Sequence, residues 1–525
     1  MKTGRLSGVL LPLFSLRSRT DFGIGDFGAI SGFLDWLHAG RQRMWMLLPL
    51  LPTAPGDTSP YATRSAFGLN PLFIHLDDVP EYAEAGGARS LSDGERRQLD
   101  EARAAPRVRY DLVVPLKMAV LRRAFDRFHE REWAKGSERA RAVRAYVRAE
   151  EAWLESYSTF CAISDDQGHK GFWDWPEPLR DPRSKAVAAE KERLGKEVLF
   201  HQWLQWVADA QWERVQAQAR DRSVLLCGDE PFIVGQNSAD VWANPTLLRR
   251  DARLGVPPDA FSATGQDWGL PYFDFAAMKK DGYSWLRFRG KNAAEYYDLR
   301  RVDHAVGYFR QWIRDAAAPE GRFLPAEEAA QKALGQELFR LFLESGTGIV
   351  AEDLGVVPDW VRATLMKLGL PGYKVMRWER DGKVFRDPKR YPKVSLVTTG
   401  THDTETLKEW WEAAPSGERA QAAEAYHELE NATLTPAFTD TIHAGLLASA
   451  ESSASDICVL PYQDVLGISD RVNLPGSMTA DNWSYRLDTL SEALTTAERT
   501  REAARVLALL TAAGNRWSEQ PGAGS

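Results

Sequence analysis

Short apolar runs alternate with stretches of helical period along the whole chain. Val9-Leu10-Leu11-Pro12-Leu13 and Met44-Trp45-Met46-Leu47-Leu48-Pro49-Leu50 read as strands. Between them, residues 27–39 carry Ile30, Phe33, Leu34 and Leu37 at helical spacing. Further strands are predicted over 224–227, 297–302, 348–351, 372–376, 394–398 and 456–460. Most lead into loops holding Asp, Glu, His, Asn or Gly, and then into helices. Repeated strand–helix units with polar residues just past the strand ends predict an α/β fold, a (β/α)8 barrel of the TIM type.

The spacing is uneven. Roughly 150 residues separate a strand-like run near Phe73 from the one near Val224, and charged helical stretches over 117–163 and 184–222 fill the gap. Trp203 and Trp206 sit at helical spacing there and read as core. The expected organisation is one catalytic barrel domain over 1–515. It carries a mainly helical insertion at about 80–222 and an active-site loop subdomain at about 245–295, and a C-terminal tail follows at 516–525. The apolar residues 8–14 superficially match a leader peptide. They are few, are broken by Pro12 and run into Arg17 and Arg19, so they read as a first strand.

Composition narrows the function. The 525 residues are 44% apolar and 26% charged, the balance of an ordinary globular protein. Net charge is −7, which offers nothing to nucleic acid or anionic lipid. Residues 44–56 lack charge but include three prolines and fall short of the ~20 apolar residues a membrane span needs. Cys161, Cys227 and Cys458 form neither a disulfide framework nor a zinc spacing, which suits a reducing, cytoplasmic compartment. The nine His show no paired ligand spacing, and no Gly-rich phosphate loop precedes a helix, so neither a metal nor another cofactor is expected. Without secretion the acceptor motifs at Asn431 and Asn482 carry no meaning. The 19 Trp against 15 Tyr are the unusual count, since flat apolar faces with polar edges pack on sugar rings.

Three acids follow predicted strands: Asp303, Glu352 and Asp403, spaced by 49 and 51 residues. At about 30 residues per unit this fits one long strand–helix unit and then two short ones, all ending on the C-terminal face where barrel enzymes hold their active sites. Taken singly, such an acid often caps the next helix. Taken together they meet a chemical need. Retaining cleavage of a glycosidic bond takes one carboxylate as nucleophile and one carboxylic acid for the leaving oxygen. A third carboxylate can hold the hydroxyls of the distorted sugar.

Arg301-Val302-Asp303-His304, Ala351-Glu352-Asp353-Leu354-Gly355 and Thr401-His402-Asp403 resemble the signature segments of the amylomaltases. These are 4-α-glucanotransferases of glycoside hydrolase family 77, in the α-amylase-like superfamily. Ser59-Pro60-Tyr61, Gly228-Asp229-Glu230-Pro231-Phe232, Gly369-Leu370-Pro371-Gly372 and Arg471-Val472-Asn473-Leu474-Pro475-Gly476 fit the same family. So does Phe261-Ser262-Ala263-Thr264-Gly265-Gln266-Asp267-Trp268-Gly269, which looks like the loop overhanging that family's active site.

The resemblance implies Asp303 as nucleophile, Glu352 as general acid/base and Asp403 as transition-state stabiliser. Arg301 lies two residues before Asp303 on the same strand face and would pair with it, as a structural ion pair, a catalytic one or both. His402 and Asp229 would hydrogen-bond the sugar at the cleavage point, and Tyr61, Trp268, Gln266 and Asn473 would line the glucan groove. The implied partners are α-1,4-glucans, with neither nucleic acid nor membrane, bound by a monomer or weak homo-oligomer. The sequence departs from the family at Ala305-Val306 for Phe-Arg, Leu270 for Asn and Thr404-Glu405 for Asn-Asp. An α-amylase-type hydrolase shares the triad and stays open, although the overhanging loop and the insertion resemble the transferases. A non-catalytic glucan-binding barrel would normally have lost a triad carboxylate.

Overall fold

A computed structural model of the chain describes residues 4–258, 265–315, 318–430, 432–477 and 479–517. Eight of the apolar runs become β1 (Leu6–Leu10), β2 (Met44–Met46), β3 (Leu225–Glu230), β4 (Leu299–Val302), β5 (Gly348–Ala351), β6 (Gly372–Val375), β7 (Ser395–Thr398) and β8 (Ile457–Pro461). Each pairs in parallel with its sequence neighbours, and β1 pairs with β8 to close the ring. The lumen is a packed core: Leu10, Met44, Met46, Leu299, Val350 and Leu396 belong to one buried cluster.

The boundaries shift for local reasons. β1 ends before Pro12, which has no N–H for a ladder, and a 3-10 turn follows over Leu13–Ser15. The run near Phe73 is not a strand. Asn70 caps a 3-10 turn, Pro71–Phe73, by accepting from the Leu72 N–H. The helix expected over 27–39 forms as a 3-10 turn, Phe27–Ala29, leading into Ile30–Ala39, and Ile30, Phe33, Leu34 and Leu37 are buried as predicted.

Between β2 and β3 the chain is helical, including Tyr110–Phe128, Glu151–Asp166 and Gly195–Asp221. Trp203 on the last of these is fully buried and Trp206 is partly buried against the same core. Above the barrel lies a second sheet that the sequence did not predict. Leu248–Val256 pairs antiparallel with Gln266–Phe273 on one side and Gln311–Asp315 on the other, and Ala318–Leu324 completes it. Gln266, Asp267, Trp268 and Gly269 of the overhanging loop are therefore the start of a strand in a sheet anchored from two connections. Phe261, Ser262, Ala263 and Thr264 of that loop lie outside the described residues, as does Asn431.

At the opposite end of the barrel, Arg516 is 1% exposed and donates to the carbonyls of Glu451 at 2.8 Å, Leu6 at 3.2 Å and Ser455 at 2.8 Å. Packing thus continues past residue 515, where the sequence placed the start of a tail. Residues 518–525 of that tail lie outside the described residues. No described helix is long and apolar enough to cross a membrane.

Candidate active site

The alternation of side chains along β3 and β4 separates two buried ion pairs. Arg300 turns to Glu230 at 2.6 Å, with Arg289 3.7 Å from the same carboxylate. Arg301 turns to Asp229, its register partner on β3, with Nη1 2.7 and 2.9 Å from the two carboxylate oxygens. The same Nη1 lies 2.9 Å from Asp303 Oδ1, just past the end of β4. One guanidinium therefore ties the barrel interior to the carboxylate at the strand's end. The other Asp303 oxygen accepts from the Phe232 N–H at 3.3 Å.

Glu352 stands just past β5. Its two oxygens accept backbone N–H groups, from His304 at 2.8 Å and Leu354 at 2.9 Å. His304 adopts a left-handed backbone (φ 46°), which aims its N–H at the acid. Asp403, in the loop after β7, accepts from Asn473 Nδ2 at 2.6 Å and sits 3.2 Å from His402 Nε2. Tyr61 joins the halves of the site. Its hydroxyl donates to Asp229 at 2.6 Å and lies 3.1 Å from His402 Nε2, and its ring stacks on His402 at 5.4 Å.

These groups line a cleft of about 810 Å³ at the C-terminal ends of the strands. Asp303, Glu352, Asp403, Arg301, His402, Tyr61, Trp268 and Asn473 all face it. Two expected groups do not. The Asp229 side chain is 0% exposed behind Arg301, where it can fix the guanidinium but not reach the cleft as the structure stands. Gln266 is exposed on the sheet's edge and accepts from Trp268 Nε1 at 3.2 Å.

The surroundings push Glu352 and Asp403 in opposite directions. Burial pushes Glu352 up to about 7, against the pull of Arg301 and with the push of the Asp303 charge. Partial burial would raise Asp403, whose side chain is 43% exposed, yet His402 and Asn473 bring it down to about 2. His402 is correspondingly raised: burial opposes its charge, but Asp403 outweighs that. His304 is lowered to about 4 by burial, so a neutral ring stands next to the acid. Two titrating groups pushed apart by their surroundings are what assigned acid and anion roles require. Among the described residues, no group of three or more His, Cys, Asp or Glu could hold a metal ion.

Comparison with known proteins agrees with this geometry. The family model described as 4-alpha-glucanotransferase, glycoside hydrolase 77, matches residues 11–492. The 4-alpha-glucanotransferase of Thermus thermophilus is 35% identical over 93% of this chain and 95% of its own length. That of Synechocystis is also 35% identical, over 92% of this chain and 94% of its own. The solved amylomaltase from Streptococcus agalactiae in complex with acarbose superposes with a TM-score of 0.82 at 26% identity, covering 98% of this chain and all of that one. The chain belongs to the glycoside hydrolase 77 family of 4-alpha-glucanotransferases.

The departures from the family pattern have local accounts. Ala305 and Val306, where the family usually has Phe-Arg, are buried in the turn after His304 and do not line the cleft. Gly307 is kept because a Cβ there would meet the Phe232 ring at 2.6 Å. Thr404 and Glu405 rebuild the loop around Arg377, at 3.2 and 3.0 Å. Leu270 lines the cleft and presents an apolar wall where the family has an amide.

Sequence reasoning missed two tryptophans of the cleft. Trp378, 49% exposed, stands on the rim just after β6. Its position past a barrel strand was the available signal. Trp483 tilts over His402 at 5.9 Å and Tyr61 at 5.7 Å. In the sequence it is the middle residue of the Asn482-Trp483-Ser484 acceptor motif, and Asn482 itself is held in a turn, donating to the Ser477 carbonyl at 2.9 Å.

Proposed function

We propose that this chain moves a segment of an α-1,4-glucan to the 4-hydroxyl of glucose or of another glucan by a retaining, two-step displacement. Asp303 attacks the anomeric carbon while Glu352 gives its proton to the leaving 4-oxygen. The leaving glucan departs from the Trp268 side and a second glucan takes its place. Glu352, now deprotonated, removes the proton of the incoming hydroxyl as that oxygen displaces Asp303, and the original configuration is restored. Asp403, anionic and fixed by His402 and Asn473, holds sugar hydroxyls as the ring flattens.

One observation carries the reading. A carboxyl group raised to about 7 stands beside Asp303, which is locked to a guanidinium at 2.9 Å. Transfer is favoured over hydrolysis by the aromatic surface beyond these groups: Trp268 and Trp378 offer faces on which an acceptor sugar can stack. Held there, a millimolar acceptor gains an effective concentration that bulk water cannot match. The three buried, unpaired cysteines favour a cytoplasmic location.

The test is incubation with maltotriose. Glucose together with maltopentaose and longer products is the expected result. Glucose and maltose as end products, without chain growth, would instead mark a hydrolase.

A further inference from the structure

The Asp403 side chain is 43% exposed, so packing does not fix it and the loop that carries it must. The two ends of that loop are pinned by one buried carboxylate. Asp464, on the helix Tyr462–Leu466 after β8, accepts from Thr399 Oγ1 at 2.6 Å and from the Leu407 N–H at 2.7 Å. The middle of the loop closes on itself. Thr404 Oγ1 accepts from the Thr401 N–H at 2.9 Å and donates to the Thr401 carbonyl at 3.1 Å.

Arg377 fills the inside of this loop. It belongs to the 3-10 turn Met376–Trp378 after β6, and its side chain is 3% exposed. Nη1 donates to Glu405 Oε1 at 3.0 Å, and Nη2 donates to the Glu405 carbonyl at 2.8 Å and to Thr404 Oγ1 at 3.2 Å. Among the described residues the guanidinium thus directs its hydrogen bonds to the two residues that follow Asp403, while Nε has no partner. Gly400 makes the room for it. A Cβ there would lie 2.5 Å from Arg377 Nη2 and 2.7 Å from Thr404 Oγ1. Arg377 itself does not line the cleft, whereas His402 and Asp403 do. A stabilising ion pair is a poor account of it, because the Glu405 side chain is 34% exposed and such pairs contribute little. A rigid fork that meets a carboxylate, a carbonyl and a hydroxyl together sets geometry, which a single point charge does not.

We infer that Arg377 is a positioning residue that holds the loop so that Asp403 and His402 meet the flattened sugar ring. The inference rests on the role proposed above for Asp403 and adds the residue that places it.

Arg377→Met removes the fork and keeps much of the side-chain length. The kcat for maltotriose disproportionation should fall about ten- to a hundredfold, with KM changed less than about threefold, because a small misplacement is felt mainly in the transition state. Arg377→Lys keeps a charge near Glu405 without the fork and should regain only part of that loss. The deciding measurement is a cycle with Asp403→Asn, read as fluoride release from α-maltotriosyl fluoride. Once Asp403 is replaced, Arg377→Met should cost less than about threefold, since residues that act as a unit are not additive. A wild-type kcat in Arg377→Met, a rise in KM alone, full recovery in Arg377→Lys, or a loss undiminished in the Asp403→Asn background would each overturn the assignment. If circular dichroism shows Arg377→Met unfolded, Thr404→Val decides in the same cycle. It keeps the volume and loses the hydroxyl, so kcat should fall about three- to tenfold, and an unchanged kcat would overturn the assignment. Asp403→Asn alone separates the two readings. Near-normal turnover there would refute the role of Asp403, whereas a large loss there beside none in Arg377→Met would refute the positioning alone.

Discussion

Removing the charge of Asp303 should make Glu352 give up its proton more readily. In the free site Glu352 is pushed up to about 7 by burial and by the Asp303 carboxylate, with Arg301 opposing. Once Asp303 is esterified to the sugar, its charge is gone while Arg301 remains. The acid of the first step thereby becomes the base of the second. Asp303→Asn reproduces that neutral state without the sugar. At the ~5 Å separation of a retaining pair and an effective dielectric of about 20, one charge is worth ~3 kcal/mol, or about 2 pH units. The Asp303 side chain is 23% exposed, and solvent screening reduces the expected fall to about 1–2 units. Difference infrared titration of the carboxyl band, assigned with Glu352→Gln, measures it directly. The wild-type midpoint should be near 7 and the Asp303→Asn midpoint clearly lower. In the wild type, kcat/KM for maltotriose should fall on an alkaline limb at the same midpoint, because the free enzyme must carry the proton. An unchanged or higher midpoint in Asp303→Asn would show that burial alone sets the acid and would refute the charge-exchange argument.

The same substitution should reduce turnover at least ~10³-fold with the fold intact by circular dichroism, since an amide cannot attack the anomeric carbon. Trp268→Ala should raise the ratio of hydrolysis to transfer about two- to tenfold, counted from maltotriose as net new reducing ends, which only hydrolysis creates, against maltopentaose and longer products; an unchanged ratio would remove Trp268 from the acceptor platform. Glu352 keeps its proton to about 7 when folded against an ordinary 4.5, so its ionisation works against folding. Stability should fall as pH rises through that window, by up to ~3 kcal/mol in denaturant titrations, and Glu352→Gln should flatten the slope. Ending the chain at Asn515 removes Arg516 and leaves Glu451 buried without its guanidinium 3.4 Å away. We expect a loss of about 3–5 kcal/mol in the same titrations, and a loss below ~1 kcal/mol would show that the base of the barrel closes without it.

The barrel was legible because its strands are short, apolar and regularly followed by polar residues. Asp303 and Glu352 could be found for the same reason, each being the first residue past a strand. Asp403 and His402 lie several residues beyond β7, so the Thr401-His402-Asp403 motif located them better than periodicity could. The second sheet was not legible. Leu254 pairs with Ile313 across a whole barrel strand and its helices, a contact no local pattern announces. The strands Gln311–Asp315 and Ala318–Leu324 are short and carry charged residues, and they gain their conformation from the ladder they complete.

Asp229 marks a different limit of sequence reading. Its residue type and its place at the end of β3 fit a sugar-binding carboxylate, but those features do not say how deep in the barrel a side chain stops. Register does. Asp229 is paired with Arg301, two residues before Asp303, so the guanidinium lies between Asp229 and the nucleophile. The buried carboxylate can then act on catalysis only through the groups it holds, Arg301 and the Tyr61 hydroxyl, by fixing the charge that Asp303 meets and the ring that stacks on His402. The acceptor wall is harder still. Trp268, Leu270, Trp378 and Trp483 come from three separate segments and converge only when the barrel closes. Among 19 Trp, those that serve the cleft differ from core Trp only in keeping one face uncovered, and that property belongs to the assembled fold rather than to any stretch of chain. Chemistry written on single strands is therefore readable early, whereas the choice between water and sugar is made by surfaces that exist only after folding.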